Sequence, residues 1–147
     1  MGIATWISIV EFELHVLGIG IDIADPERLA RVRRKGDVMR QVMAPAESHF
    51  LPLSDANAAR IWATKEAIAK SLGTGFWQRG MAWTDIRFKP DWTVELFGAA
   101  AELAASSDFS IETRFEGRYL IVTCLRTRSM ADHGPFEGKN HNQSAHG

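Results

Sequence analysis

Asp22, Lys65, Glu66 and Lys70 are the side chains that an ordinary soluble core does not call for. Asp22 stands near the end of the apolar run Val16-Leu-Gly-Ile-Gly-Ile-Asp-Ile-Ala24. In a strand, alternate side chains share a face. Ile19, Ile21 and Ile23 therefore lie on one side, and Gly18, Gly20 and Asp22 on the other. The carboxylate sits beside two positions without side chains, which leaves room for a ligand or for another backbone. A carboxylate in apolar surroundings needs a cation or donors to offset its desolvation. Asp22 is read as a ligand residue, because Asp25 is better placed to cap the helix that follows.

The second group lies on a long helix expected over 55–72. At about 100° per residue, Ala58, Ile61, Trp62, Ile68, Ala69 and Leu72 form one apolar stripe. Lys65 falls in the middle of that stripe and Glu66 at its edge, beside Trp62 and Lys70. Asn57, Arg60, Thr64 and Ser71 are expected on the opposite, solvated face. Glu66 and Lys70 have the i, i+4 spacing of a favourable ion pair. Lys65 either snorkels to solvent or packs against something anionic. Two carboxylates on separate elements, with lysines nearby, compose a plausible Mg²⁺–phosphate site, since Mg²⁺ prefers one or two carboxylates, several waters and the substrate's phosphates. Gly73-Thr74-Gly75 closes the helix and could let backbone amides approach a phosphate. It is not a P-loop, and Gly18-Ile19-Gly20 lacks the third glycine of a dinucleotide fingerprint.

A third feature is basic. Arg28, Arg31, Arg33, Arg34, Lys35 and Arg40 crowd one short stretch against Asp37. Six bases on a near-neutral chain read as a docking patch for an acidic partner. No aromatic platform is interleaved with them, which argues against nucleic acid.

The elements that must position these residues follow from local signals. A strand is expected over 16–24. Asp25-Pro26-Glu27 then announces a helix over 26–35, with a cap, a proline in the first turn and an acid behind it. Ser54-Asp55 caps the long helix. Strands are expected over 82–88, 93–97, 109–115 and 119–126, with Gly117 turning the last hairpin and a short alanine-rich helix over 98–106. No repeat or linker divides the chain, which reads as a single α+β domain with a mainly antiparallel sheet packed on the long helix. Its expected bounds are 16–128, after an N-terminal extension over 1–15 and before a tail over 129–147. The tail has no apolar period and reads as disordered.

Composition narrows the classes further. With 147 residues, 46% of them hydrophobic and 24% charged, the chain has the make-up of one ordinary soluble domain. Its single cysteine, Cys124, excludes an intramolecular disulfide framework and points to a reduced, cytoplasmic setting. Seventeen basic against 18 acidic residues, a net charge of −1, disfavour a general nucleic-acid binder. Acidic residues and His15 interrupt the apolar N-terminal stretch, so no membrane span is expected.

Together these residues resemble the 4′-phosphopantetheinyl transferase superfamily in its small holo-acyl-carrier-protein synthase form. One motif is Gly18-Ile-Gly-Ile-Asp22-Ile with Glu27-Arg28-Leu29 behind it. The other is Trp62-Ala-Thr-Lys65-Glu66-Ala67-Ile-Ala-Lys70-Ser-Leu-Gly73-Thr-Gly75. Weaker agreement runs through Val42-Met-Ala-Pro-Ala-Glu47, Met81-Ala-Trp-Thr-Asp-Ile86 and Glu95-Leu-Phe-Gly98.

The resemblance implies transfer of the 4′-phosphopantetheine arm of coenzyme A to a serine of apo acyl carrier protein, with 3′,5′-ADP leaving. It further implies that Asp22 and Glu66 bind Mg²⁺, that Glu66 and Lys70 are catalytic, and that Lys65, Lys70, Gly73, Thr74 and Gly75 lie around the coenzyme. Glu66, or a water held by the metal, takes the serine proton. Arg28 and Arg31 dock the acidic carrier. Small members of the family form homotrimers with sites between subunits, which would place Lys65 in a packed face. The common Gly-Lys-Pro turn is replaced here by Lys89-Pro90-Asp91-Trp92, and a frequent Ser-x-x-His becomes Ser110-Ile-Glu-Thr113. These departures keep two alternatives open: a transferase dedicated to a polyketide or other specialised carrier instead of the fatty-acid one, and a coenzyme A-binding member with reduced catalysis.

Overall fold

The structure, a computed structural model, describes residues 15–129. Except for His15 and Ser129, the expected N-terminal extension and C-terminal tail lie outside the described residues. Strand β1 (Val16–Ala24) leads into α1 (Pro26–Lys35), α2 (Met39–Val42) and a 3-10 turn at Pro45–Phe50. The long helix α3 (Asp55–Ser71) follows, then a 3-10 turn at Trp83–Asp85, β2 (Ile86–Phe88) and β3 (Val94–Leu96). Helix α4 (Gly98–Leu103), β4 (Ser107–Glu116) and β5 (Tyr119–Arg128) complete the domain. The α+β expectation holds. An antiparallel sheet in the order β1-β5-β4 packs on α3, and β2 and β3 form a separate hairpin.

The predicted start signals operate as chemistry. Asp25 accepts from the amides of Glu27 and Arg28 at 3.1 and 3.3 Å, and Pro26 occupies the first turn of α1. Ser54 Oγ accepts from the Asn57 amide at 3.1 Å at the head of α3. Gly73, at φ +75°, ends that helix in the left-handed region that suits glycine. The strand expected over 82–88 is shorter than its pattern. Asp85 Oδ2 accepts from the Ala82 amide at 3.0 Å, which closes a 3-10 turn before three residues of ladder begin.

The central helix departs most from expectation. Thr64 and Ser71, expected on a solvated face, are buried, as are Ala59, Ala63 and Ala67. The reason lies in β1. A Cβ on Gly20 would overlap the Ala67 carbonyl oxygen, and one on Gly18 would overlap that of Ser71. Glycine lets the strand backbone lie directly on the helix backbone, so the face read as solvated is the one the sheet covers. The space left beside Asp22 is thus filled by another backbone over most of its length. A second apolar cluster, including Met39, Val42, Ile61, Trp83 and Phe88, seals the N-terminal half of α3 against α2 and β2.

Candidate active site

Gly18 lies against Ser71 and Gly20 against Ala67, so β1 carries Asp22 away from the C-terminal end of α3, and the long Lys70 side chain reaches it there. Lys70 Nζ donates to Asp22 Oδ1 at 2.8 Å and to the Ile21 carbonyl at 3.0 Å. An ammonium has three donors, so one proton remains for a ligand on the open side. The Lys70 side chain is 47% exposed and that of Asp22 is 14% exposed, which describes a site wet at its rim and dry at its base. Lys70 therefore takes Asp22 as its partner, where the helical spacing favoured Glu66.

Glu66 lies one helical turn before Lys70 and is half-buried. Burial and the neighbouring Asp22 charge push its carboxyl above the usual range, while Lys70 partly opposes them. Two carboxylates that repel each other, with one lysine between them and solvent, form a donor set suited to a divalent cation. No group of three or more His, Cys, Asp or Glu gathers among the described residues. Asp22 and Glu66 are the one or two carboxylates with which Mg²⁺ is commonly bound when water and phosphate complete its shell. The set does not fit a transition-metal cage.

Lys65 is not part of this site. It is fully buried, and its three protons are all engaged: Glu47 Oε2 at 2.8 Å, the Val42 carbonyl at 2.6 Å and, more weakly, the Trp83 carbonyl at 3.4 Å. Burial lowers its pKa and the Glu47 carboxylate opposes that shift. The expectation that Lys65 lies beside the coenzyme is corrected accordingly, because a lysine with saturated donors inside the core cannot reach a ligand. Its packed surroundings need no neighbouring subunit; the anionic group it faces is Glu47 of its own chain. Glu47 also accepts from the amides of Ala44 at 2.8 Å and Phe88 at 2.8 Å. Sequence reasoning gave Glu47 no role. Pro45-Ala46-Glu47 signals only the start of a helical turn, and nothing local announces a partner 18 positions away.

The Gly73–Gly75 turn follows Lys70 directly. The Gly73 and Thr74 amides donate back to the Lys70 and Ala69 carbonyls at 3.0 and 3.2 Å, closing the helix instead of opening towards a phosphate. The Gly75 amide has no intramolecular partner among the described residues. The Gly75 amide, five residues after Lys70, is therefore the donor this turn has to offer.

On α1, Arg28 borders a groove of about 300 Å³ together with Ile23, Ala24, Asp25, Leu29 and Trp62. Trp62, at one side of this groove, precedes Glu66 on α3 by one helical turn. Arg31 is exposed and holds Glu27 loosely at 3.7 Å. The basic cluster is less free than its sequence implies: Arg33 is tied to Asp55 and the Leu53 carbonyl, both at 3.0 Å, and Arg40 to Asp37 at 3.4 Å. A second cavity, of about 720 Å³, lies on the opposite side of α1 between Arg33, Met39, Met43 and Leu53, and holds none of the carboxylate–lysine group. Chemistry, not size, locates the site.

Residues 18–124 match the family model of the 4′-phosphopantetheinyl transferase superfamily. The chain belongs to that superfamily. Its similarity to two curated members spans nearly their whole length. It is 37% identical over 125 residues to the holo-[acyl-carrier-protein] synthase of Photobacterium profundum, covering 76% of this chain and 98% of the relative. Against the enzyme of the same description from Edwardsiella ictaluri it is 37% identical over 124 residues, with the same coverage. Among solved structures, the holo-[acyl-carrier-protein] synthase of Neisseria meningitidis superposes with a TM-score of 0.61 at 24% identity, covering 76% of this chain and 98% of that one. The Helicobacter pylori synthase in complex with coenzyme A superposes with a TM-score of 0.62 at 19% identity, covering 74% and 98%. These superpositions establish the phosphopantetheinyl transferase fold, and within it Asp22, Glu66 and Lys70 come together where β1 crosses α3.

Proposed function

We propose that this chain is a holo-acyl-carrier-protein synthase, moving 4′-phosphopantetheine from coenzyme A to a serine of an acidic apo acyl carrier protein. The observation that carries this reading is the Asp22–Lys70 contact at 2.8 Å with Glu66 beside it, at a strand–helix crossing open to solvent. Asp22 and Glu66 would hold Mg²⁺, which supplies positive charge to the pyrophosphate of the coenzyme. Lys70 keeps one donor for a phosphate oxygen and neutralises charge on the departing nucleotide. Gly75 adds its free amide, and Thr74, buried beneath the turn, keeps the turn in shape. A new bond forms between the serine Oγ and the phosphorus nearer the pantetheine. The bond from that phosphorus to the bridging oxygen breaks, and 3′,5′-ADP leaves. Glu66, the carboxylate beside Lys70 on α3, would take the serine proton.

Arg28 and Arg31 on the exposed side of α1 would meet the acidic carrier, with the Arg28–Trp62 groove leading its serine to the carboxylates. In this reading the carrier serves fatty-acid synthesis in the cytoplasm. No helix among the described residues is long and apolar enough to cross a membrane. A homotrimer is part of the same proposal. Ile19, Ile21 and Ile23 are 59%, 51% and 61% exposed on the sheet face turned away from α3, an apolar stripe that a second and third copy would cover. Incubation with coenzyme A, Mg²⁺ and apo carrier protein should add about 340 Da to the carrier by mass spectrometry, the mass of the arm. No addition to any apo carrier in a panel that includes fatty-acid and polyketide types would refute the proposal.

A further inference from the structure

Arg126 lies on β5 directly opposite Gly18 of β1, on the inner face that also carries Leu120, Val122 and Cys124. A charged residue there breaks the apolar pattern of its strand, and each of its three guanidinium nitrogens donates to a backbone oxygen. Nε donates to the Ser71 carbonyl at 3.1 Å, one terminal nitrogen to the Leu103 carbonyl at 3.1 Å and the other to the Leu17 carbonyl at 3.2 Å. Ser71 and Leu103 are the last residues of α3 and α4, where carbonyls lack intrahelical partners and the helix dipole favours a cation. One side chain thus joins two helix ends to β1. Gly18 makes this arrangement possible: a Cβ there would overlap the Ser71 carbonyl and lie 3.5 Å from Arg126 Nε.

Ser71 follows Lys70 and precedes the Gly73–Gly75 turn by two residues. The Lys70–Asp22 contact and the Arg126 bridge therefore link the same two elements, at adjacent residues of α3 and, on β1, at Asp22 and at Leu17. Only the first faces a ligand. We propose that Arg126 is a positioning residue for the coenzyme: by holding the Ser71 carbonyl against β1, it sets where Lys70 and the Gly75 amide stand relative to Asp22. This rests on the reading that Lys70 and the turn hold the phosphates of coenzyme A.

The test compares steady-state kinetics of the full-length wild type with Arg126→Met, which keeps a stem of similar length and removes every donor, and Arg126→Lys, which keeps the charge. Titration with 3′,5′-ADP gives nucleotide affinity directly. Arg126→Met should raise the KM for coenzyme A and weaken 3′,5′-ADP about tenfold. The KM for the carrier protein should stay within about twofold, because α1 makes no bond to Arg126, and Arg126→Lys should recover part of the loss. Unchanged constants, or coenzyme and carrier constants rising together as a general loosening would cause, overturn the proposal. If Arg126→Met does not fold, Arg126→Lys is judged by the same selective rise in coenzyme KM. Wild-type protein that transfers no arm and binds no 3′,5′-ADP would remove the underlying reading and this inference with it. Wild-type binding with an unaffected Arg126→Met removes the inference alone.

Discussion

Lys70 spans the crossing of α3 and β1 to reach Asp22 at 2.8 Å, two residues 48 positions apart in sequence that meet only because Gly18 and Gly20 let strand and helix backbones touch. Removing the Lys70 cation should separate chemistry from stability. The pair is partly exposed, so Lys70→Met should cost no more than about 1 kcal/mol of folding free energy in urea titrations. Turnover should fall at least about 100-fold, because charge on the leaving nucleotide loses its counter-ion. A variant that keeps most of its activity would remove Lys70 from the proposed mechanism.

Five positions earlier, Lys65→Met should show the reverse balance. Removing one partner of a buried, hydrogen-bonded pair leaves Glu47 charged within the core, a change that costs about 3–5 kcal/mol. Denaturant midpoints should drop accordingly, while the protein that remains folded retains its KM for coenzyme A. A large rise in that KM at unchanged stability would return Lys65 to the ligand site.

Glu66 gives the apo protein a pH signature. Its folded pKa is raised, so its contribution is most favourable at low pH, where the carboxyl is protonated in both states. That contribution is lost as pH rises through the folded value. Glu66→Gln should therefore raise the Tm of metal-free protein at pH 7 to 8 and converge on the wild type below about pH 4. The same variant should be inactive. A Tm below that of the wild type at pH 8 would mean that Glu66 has a stabilising partner in the fold.

Gly20→Ala tests the crossing itself. The added methyl overlaps the Ala67 carbonyl, and backbone cannot move aside as a side chain would. A loss of about 1–3 kcal/mol is expected, with turnover reduced as Asp22 shifts from Lys70. Wild-type stability and activity together would show that β1 and α3 do not pack this closely.

The exposed isoleucines predict assembly. Light scattering should give a mass three times that of the chain, and Ile21→Glu should lower it by placing a charge in the centre of the apolar stripe. A wild-type monomer active at nanomolar concentration would contradict the proposed trimer.

Much of this protein is legible along the chain because much of it is local. Asp25 and Ser54 cap the helices they precede, Gly73 ends α3, and the alternation in β1 sends Asp22 to the same side as the two glycines. Each depends on neighbours within a few positions, and the motifs around Asp22 and Lys65–Gly75 were enough to indicate the family. What lay between distant segments was not legible. Helical periodicity placed Thr64 and Ser71 in solvent, because it registers only the side chains of α3 and not a strand whose missing side chains let it cover that face. The family motif likewise implied two ligand lysines, Lys65 and Lys70. The fold separates them: Glu47, brought from 18 positions away, saturates one inside the core, and Asp22, from 48 away, holds the other at an open edge. Residue type and spacing determined which groups this chain possesses. Which of them keeps a proton free for a ligand was decided by long-range packing, since a buried donor must find its acceptors wherever the folded chain supplies them.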